Sequence, residues 1–320
     1  MADKKIDIVV PVYKAKETLT RLLASVVMQS MSQSTTVYLV QDSDSEDYSA
    51  ILDPFSKILD IRLISTAENV GPGKARRIGM QQGNSKYVVC IDADDTLHNP
   101  FALQELYNAI ESNGLDAVNS IFLEQIDDTQ FTTHENDWVW VFGKIYNRNF
   151  LENNKIEMND SRANEDVGFN TVVRATGKVG YLPSVTYIWH YKEGSITRVD
   201  NSIYNFTGNE GWLYNMSWAI SNMERLKLAE EVMQKEVAKY IINTYCWYLE
   251  YARGEDKRYD INKFLEWVRK FVQCTYLKHK PTEKQLEESY KAYSSNKELK
   301  NHIPSKTLKE YIELVSGENK

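Results

Sequence analysis

The sequence predicts an α/β fold, in which a mainly parallel sheet is flanked by helices, followed by a C-terminal helical domain. Over residues 1–205, short apolar runs alternate with segments of helical periodicity, which is typical of βαβ units. Within residues 206–320, apolar and aromatic residues recur at helical spacing from Trp212 to Tyr251 and again from Ile261 to Tyr276. We therefore expect two domains with these bounds.

The elements of the α/β part can be followed in order. An apolar run from Ile6 to Val10 stops at Pro11, and residues 17–30 repeat leucine and valine at helical spacing. The later predicted strands are 37–40, 61–65, 87–91 and 116–123, and the later predicted helices are 73–83 and 101–113. The segments predicted as strands or loops are 138–148 and 179–190, with a helix opening at 164–169. Ligands of such folds bind beyond the carboxyl ends of the strands.

Composition narrows the classes of function. The 320 residues are 42% hydrophobic and 26% charged, as in ordinary globular proteins, and the net charge of −7 weighs against a nucleic-acid partner. No secretion signal or membrane-spanning apolar run is evident, and Cys90, Cys246 and Cys274 lack metal or disulfide spacing. A cytoplasmic protein is expected, with peripheral contact to a membrane left open.

Three carboxylates follow the predicted strand 87–91. Asp92, Asp94 and Asp95 stand where the chain leaves the sheet. Mg²⁺ and Mn²⁺ take oxygen ligands and are commonly held by one or two carboxylates together with substrate phosphates. The pattern indicates a metal–nucleotide site, although acidic residues after a strand also form turns and helix caps.

A glycine-containing segment precedes this acidic one. Asn69 and Gly71 stand before a predicted helix whose first turns carry Lys74 and Arg76. A helix N-terminus with basic side chains suits a pyrophosphate. A plain turn with solvated basic residues is the alternative.

Taken together, these motifs resemble glycosyltransferase family 2, whose catalytic domain has the GT-A nucleotide-diphospho-sugar transferase fold. The resemblance covers roughly residues 5–200. The segments that carry it are Val10-Pro11-Val12-Tyr13, Asp42, Asn69 to Gly79, Tyr87, Asp92-Ala93-Asp94-Asp95, Phe142 to Arg148, Asn164-Glu165-Asp166 and Ser195-Ile196-Thr197. Where the family commonly has two aspartates followed by Gly-Ser, this chain has Gln41-Asp42-Ser43-Asp44, so one aspartate of the pair and the glycine are absent.

The resemblance implies an inverting, hexosyltransferase-type enzyme that uses Mn²⁺ or Mg²⁺ and moves a sugar from a nucleotide-sugar donor, with UDP as the default, to an acceptor hydroxyl. A glycan or lipid-linked acceptor in cell-surface polysaccharide synthesis is expected. The implied nucleotide-sugar-binding residues are Pro11, Tyr13, Asp42, Asn69, Gly71, Lys74, Arg76, Asp92 and Ala93. The implied metal ligands are Asp92 and Asp94, and Asp166 is the implied catalytic base.

Four further residues are candidates on chemical grounds. Inverting transfer needs one carboxylate to accept the hydroxyl proton, which leaves Glu165 to orient the acceptor. His190 is a candidate third metal ligand, although a lone histidine is more often only hydrogen-bonded. Trp138 and Trp140 have strand spacing and are candidates for stacking on acceptor sugar, with core packing as the alternative.

Two other functions stay open. One is transfer to an unusual acceptor such as a modified nucleic-acid base, and the other is a non-catalytic nucleotide-sugar-binding protein. The C-terminal helices are rich in tryptophan and tyrosine, which leaves open a membrane or homo-oligomer contact. A buried face of a helical bundle is the alternative for these aromatic residues.

Overall fold

A computed structural model describes residues 4–192, 202–252, 258–296 and 306–317. The chain divides into two compact units, Met1–Val199 and Asp200–Lys320. The boundary predicted between residues 205 and 206 lies in the first turn of the helix that begins at Ser202. No helix among the described residues is long and apolar enough to cross a membrane.

The first unit contains a mixed sheet of nine strands in its described residues. They are β1 (Ile6–Val12), β2 (Thr35–Gln41), β3 (Asp60–Ser65), β4 (Tyr87–Cys90), β5 (Thr96–Leu97), β6 (Ala117–Gln125), β7 (Phe131–His134), β8 (Lys144–Asn147) and β9 (Val179–Trp189). Their order is β3-β2-β1-β4-β8-β6-β9-β5, with β7 paired to β6. The first four strands in this order are parallel, and β8 is antiparallel to both of its neighbours. The α/β prediction is confirmed.

The helices of this unit are α1 (Leu19–Val27), α2 (Ser49–Phe55), α3 (Pro72–Gln82), α4 (Ala102–Asn113), α5 (Arg148–Asn153) and α6 (Glu165–Thr176). The short elements α2, α5, β5 and β7 were not predicted, because each is too brief to show a periodic pattern. In the segment 138–148, which was predicted as strand or loop, the strand begins at Lys144. Residues 139–143 before it form bends.

The central strand β1 is buried on both faces, as expected of a parallel strand between helices. Ile8 and Val10 belong to the same apolar cluster as the leucines of α1. On the opposite face α3 lies close, because a Cβ added to Gly79 would stand 2.5 Å from Val9 Cγ1. The absence of a side chain at Gly79 therefore lets α3 approach the sheet.

Parallel pairing brings the carboxyl ends of three strands to one edge of the sheet. Val12 pairs with Gln41 at the end of β1 and β2, and Val9 pairs with Cys90 at the end of β4. Asp42 directly follows β2, and Asp92 comes two residues after the end of β4. Sheet topology thus gathers the polar segments singled out from the sequence.

The second unit is helical, with α7 (Ser202–Arg225), α8 (Glu230–Tyr251), α9 (Ile261–Cys274), α10 (Glu283–Asn296) and α11 (Leu308–Ser316). The helical pattern that runs from Trp212 to Tyr251 is broken between α7 and α8, where Lys227 has a φ of +57°. Many of the aromatic residues pack inside this unit, for example Tyr251 against Phe264 and Tyr248 against Tyr311. Core packing therefore accounts for these rings.

Candidate active site

Asp42 holds the loop before α3. Its buried carboxylate accepts hydrogen bonds from the backbone N–H of Val70 at 2.6 Å and of Gly71 at 2.9 Å, and from the Thr66 hydroxyl at 3.2 Å. Asn69 donates to the carbonyl oxygen of Asp42 at 3.3 Å. Gly71 needs its positive φ of +83° to turn the chain into the helix. Asp42 therefore shapes the predicted nucleotide loop by direct hydrogen bonding.

Residues Asp92 to Asp95, after β4, form a tight turn, here called the acidic turn. Tyr187 in β9 holds this turn in place. The N–H of Asp95 donates to the Asp92 carbonyl at 3.0 Å, and the Tyr187 hydroxyl donates to Asp95 Oδ2 at 2.6 Å. The same hydroxyl accepts from the Asp92 N–H at 3.2 Å. Asp95 is buried, so its carboxylate supports the turn, whereas Asp92 and Asp94 are partly exposed.

Arg76 joins the two acidic motifs. Its guanidinium donates from Nη2 to Asp92 Oδ1 at 2.6 Å and from Nη1 to Glu165 Oε1 at 2.9 Å. Burial alone would lower the pKa of Arg76, but the carboxylates of Asp92 and Glu165 raise it above its ordinary value. Arg76 is thus a permanent positive charge between the acidic segment after β4 and α6.

Asp166 lies beside this ion-pair network in the first turn of α6. It is buried, and its Oδ1 accepts the N–H of Val167 at 2.8 Å. Burial, and then the negative charge of Glu165, raise the pKa of Asp166 to about 7. A carboxylate whose pKa lies near neutrality suits proton transfer at physiological pH.

The sequence model described as glycosyl transferase family 2 matches residues 7–168. The chain belongs to glycosyl transferase family 2. The resemblance seen in the motifs and the predicted glycosyltransferase class are thereby confirmed. The matched range includes every residue of the ion-pair network and ends just after Asp166.

Characterised relatives within the wider family have similar sequences. Succinoglycan biosynthesis protein ExoO of Rhizobium meliloti is 26% identical over 225 residues, which cover 60% of this chain and 62% of ExoO. Glycosyltransferase GlyA of Streptococcus pneumoniae is 24% identical over 272 residues, which cover 75% of this chain and 37% of GlyA. The poly(ribitol-phosphate) β-N-acetylglucosaminyltransferase TarP of Staphylococcus aureus is 29% identical over 117 residues, 36% of each chain. The chain therefore matches less than two thirds of the length of each of these relatives.

Solved structures confirm the GT-A fold. Residues 1–349 of S. aureus TarS in complex with UDP-GlcNAc superpose with a TM-score of 0.71 at 16% identity, covering 92% of both chains. The mannosyltransferase PcManGT of Pyrobaculum calidifontis, in complex with GDP-Man and Mn²⁺, gives a TM-score of 0.54 at 13% identity, covering 69% of this chain and 65% of PcManGT. At sequence identities of 16% and 13%, the similarity to these two structures shows a shared fold and nothing more.

A family 2 transferase of this fold commonly uses a divalent cation, and the acidic turn fits one in part. Asp94 is exposed to solvent on one side and faces Lys192, whose Nζ lies 3.3 Å from Asp94 Oδ2. Asp92 accepts from Arg76 through Oδ1. Within the described ranges no three acidic, histidine or cysteine side chains converge as a metal cage. The arrangement therefore fits a cation held by one or two carboxylates together with a diphosphate.

His190 lies next to the family's acidic turn, but its ring already has two polar neighbours. Nε2 is 2.8 Å from the Thr96 hydroxyl and Nδ1 is 3.1 Å from Gln125 Oε1. Burial, and then the positive charge of Arg21, lower the pKa of His190 to about 4, so the ring is neutral at pH 7. Metal binding by His190 stays a prediction that requires one of these two contacts to be given up.

The two tryptophans do not share one strand face, because residues 138–143 do not form a strand. The Trp140 ring packs 4.8 Å from Trp189 and 5.7 Å from Phe142, as the core-packing alternative expects. Trp138 donates from Nε1 to Asn136 Oδ1 at 3.2 Å and lies over Lys144. Contact of either tryptophan with an acceptor remains a prediction.

The other predicted residues of the family site lie around the same edge of the sheet. Pro11 is in β1, Tyr13 follows it with an exposed ring, and Ala93 is buried in the acidic turn. Lys74 is in the first turn of α3. The motif Ser195-Ile196-Thr197 lies outside the described residues.

Three contributors to the site were not predicted from the sequence. Tyr187 fixes the acidic turn, Arg21 donates from Nη2 to the Asp94 carbonyl at 2.5 Å, and Lys144 is a buried amine near Asp166. Arg21 and Tyr187 are distant from the acidic turn in the chain. Only Lys144, a charged residue in an otherwise apolar segment, gave a signal that sequence reasoning could have used.

Proposed function

We propose that this chain is an inverting, divalent-cation-dependent glycosyltransferase that moves a sugar from a UDP-sugar to an acceptor hydroxyl, with Asp166 as the general base. The observation that carries the proposal is the Asp92–Arg76–Glu165 network, which joins the acidic turn to the helix that begins with Glu165 and Asp166. The network links the motif suited to a nucleotide diphosphate with a carboxylate suited to proton transfer.

The proposed reaction needs one base and one positively charged environment. The acceptor hydroxyl loses its proton to the Asp166 carboxylate while its oxygen attacks the anomeric carbon, and the nucleoside diphosphate leaves from the opposite face. A divalent cation held by Asp94 and Asp92 would neutralise charge that develops on the leaving diphosphate. Arg76 holds Asp92 and Glu165 in place for both partners.

The donor and acceptor classes are proposed from the relatives. TarS was solved with UDP and with UDP-GlcNAc, and TarP is an N-acetylglucosaminyltransferase acting on poly(ribitol-phosphate). ExoO is a protein of succinoglycan biosynthesis. We propose a UDP-hexose or UDP-N-acetylhexosamine as donor and a cell-surface glycan, free or lipid-linked, as acceptor.

The experiment is a panel of UDP- and GDP-sugars, assayed with Mn²⁺ or with EDTA for donor hydrolysis and for transfer to bacterial wall glycans. Wild-type protein should release UDP in the presence of Mn²⁺. Asp166→Asn should lower turnover about 10²- to 10⁴-fold, because the amide keeps the shape of the side chain but cannot accept the proton.

Donor binding separates this function from the alternatives. UDP affinity, measured by calorimetry, should be the same in wild type and Asp166→Asn. Binding of a nucleotide sugar without any turnover in wild type would indicate the non-catalytic alternative. Full turnover by Asp166→Asn would show that the base lies elsewhere.

A further inference from the structure

Lys144 is a fully buried lysine to which the proposed reaction assigns no role. Its Nζ donates to the carbonyl oxygen of Phe142 at 3.3 Å and lies 5.8 Å from the centre of the Trp138 ring. A carbonyl and a ring face are weak compensation for an ammonium removed from water. Such a lysine is seldom tolerated without a carboxylate that faces it.

Sheet register places Lys144 on the face of β8 that α6 covers. Lys144 and Tyr146 are two residues apart in one strand, so their side chains point to the same face. The Tyr146 hydroxyl donates to Asn170 Oδ1 at 2.7 Å, and Asn170 follows Asp166 by one helical turn. The bond between Tyr146 and Asn170 is a direct contact between β8 and α6. Lys144 lies two residues before Tyr146 in β8, and Asp166 lies one helical turn before Asn170 in α6.

The same polar face fixes the segment that carries the tryptophans. The Asn170 amide donates to the carbonyl of Trp140 at 2.8 Å and to that of Val139 at 3.3 Å, and the Tyr146 hydroxyl is 3.3 Å from the Val141 carbonyl. With the bond from Lys144, the carbonyls of Val139, Trp140 and Phe142 accept hydrogen bonds from the buried side chains of Asn170 and Lys144. The position of this segment relative to Asp166 is thus set by hydrogen bonds to β8 and α6.

A second polar group lies beside Lys144. Asn119 of β6 is its register partner, so the two side chains share a face of the sheet. Neither amide atom of Asn119 has a hydrogen-bond partner among the described residues, although the side chain is fully buried. Unsatisfied buried amides are costly and rare, so the one at Asn119 calls for a specific reason.

We propose that Lys144 is a positioning residue for the transfer reaction: its buried ammonium group holds the Asp166 carboxylate in the ionised, proton-accepting form and anchors the Trp138 segment beside it. The proposal rests on the proposed role of Asp166 as general base. Lys144 is the first residue of β8, which fixes the position of its backbone. No other lysine among the described residues is as buried.

Other charges also act on Asp166 and on Lys144. Glu165 opposes ionisation of Asp166, as does Asp92, whereas Arg76 favours it. Asp166 itself, together with Cys90, raises the pKa of Tyr146 beyond the effect of burial, so that hydroxyl stays neutral. On the lysine side, burial lowers the pKa of Lys144 to about 7, against the attraction of Asp137 and Asp166. Below neutral pH Lys144 is therefore charged and favours the carboxylate.

The test is a titration of the Asp166 side-chain carboxyl by ¹³C NMR in the full-length chain, without donor or acceptor, with the signal assigned from Asp166→Asn. Lys144→Met removes the charge at similar volume, and we expect the apparent pKa of Asp166 to rise by about one unit, a tenfold change in protonation. Lys144→Arg keeps a charge and should restore most of the wild-type value. The exposed Lys178→Met is the matched control and should leave the signal unmoved.

The rate profile gives the second measurement. The acid limb of kcat/KM should move to higher pH in Lys144→Met, so that the variant loses about tenfold at pH 6 and much less at pH 9. An Asp166 titration that is unmoved in folded Lys144→Met, or moved equally in Lys178→Met or Lys144→Arg, would overturn the proposal. Since the NMR titration needs no turnover, it is independent of the proposed function, which fails instead if Asp166→Asn retains full activity.

Discussion

Arg76 donates from Nη1 to Glu165 Oε1 at 2.9 Å, and both side chains are buried. The two residues are 89 positions apart in the chain. Their contact joins α3, which follows the nucleotide loop, to α6, whose second residue is Asp166. The proposed donor side and the proposed base side of the site are therefore positioned by one guanidinium group.

Removal of this guanidinium should destabilise the protein. Arg76→Met leaves Glu165 buried without its positive partner, and the loss of one member of a buried pair costs about 3 kcal/mol in unfolding free energy. Urea unfolding measures the change. Arg62→Met, which breaks the exposed pair with Asp60, should cost less than about 1 kcal/mol. Equal losses in the two variants would argue against a special role for Arg76.

Gly73 should not tolerate a side chain, because it lies against Glu165. A Cβ added there would stand 2.5 Å from Glu165 Cγ and 3.0 Å from the Asn159 carbonyl oxygen. Gly73→Ala should therefore lower the unfolding free energy by about 1–3 kcal/mol and reduce turnover by displacing Glu165. Gly208→Ala, where nothing lies within 4 Å, should be neutral or stabilising. A fully active, stable Gly73→Ala would contradict the close packing of α3 and α6.

The Asp42 carboxylate should matter for UDP binding through the loop that it holds. Asp42→Ala removes the acceptor for the N–H groups of Val70 and Gly71, so UDP affinity should fall about tenfold while the fold persists. Asp44 accepts instead from the Lys14 N–H and the Tyr48 hydroxyl. Asp44→Ala should therefore change UDP affinity less. Calorimetry that finds unchanged affinity in Asp42→Ala would refute the assignment.

Metal dependence should reside in the exposed carboxylate of the acidic turn. Asp94→Asn should abolish the enhancement of UDP binding by Mn²⁺, because a neutral amide is a poorer ligand for a hard cation. Binding of UDP in EDTA should change little. Asp53→Asn, on the exposed side of α2, is the control and should behave as wild type. If Mn²⁺ strengthens UDP binding equally in all three proteins, Asp94 is not a ligand.

Stability should depend on pH through Asp166. Its pKa is raised from 3.8 to about 7 in the folded protein, so the folded state binds a proton that the unfolded state releases between these values. Stability contributed by this group is therefore lost as pH rises from about 4 to 7. At pH 8 Asp166→Asn should be more stable than wild type by at least about 1 kcal/mol, and the difference should vanish near pH 4. If the difference in unfolding free energy between Asp166→Asn and wild type does not change with pH, then burial does not raise the pKa of Asp166.

The strand and helix pattern of the first unit was predictable where periodic segments are long. α3, predicted at 73–83, is Pro72–Gln82, and α4, predicted at 101–113, is Ala102–Asn113. Gly114 ends α4 in the left-handed conformation, as a C-terminal glycine should. The four elements that escaped prediction, α2, α5, β5 and β7, have only two to seven residues, over which a helical or strand period is hard to measure.

The sequence by itself determined the family, the α/β class and the acidic and glycine motifs, because these depend on local order along the chain. Only the tertiary structure decided that Arg76 contacts both Asp92 and Glu165, that Tyr187 fixes the acidic turn, and that Lys144 is buried beneath α6. Hydrogen bonds form between atoms a few ångströms apart in space. In this site the bonded residues are up to 95 positions apart in the chain, so local sequence patterns do not predict these contacts.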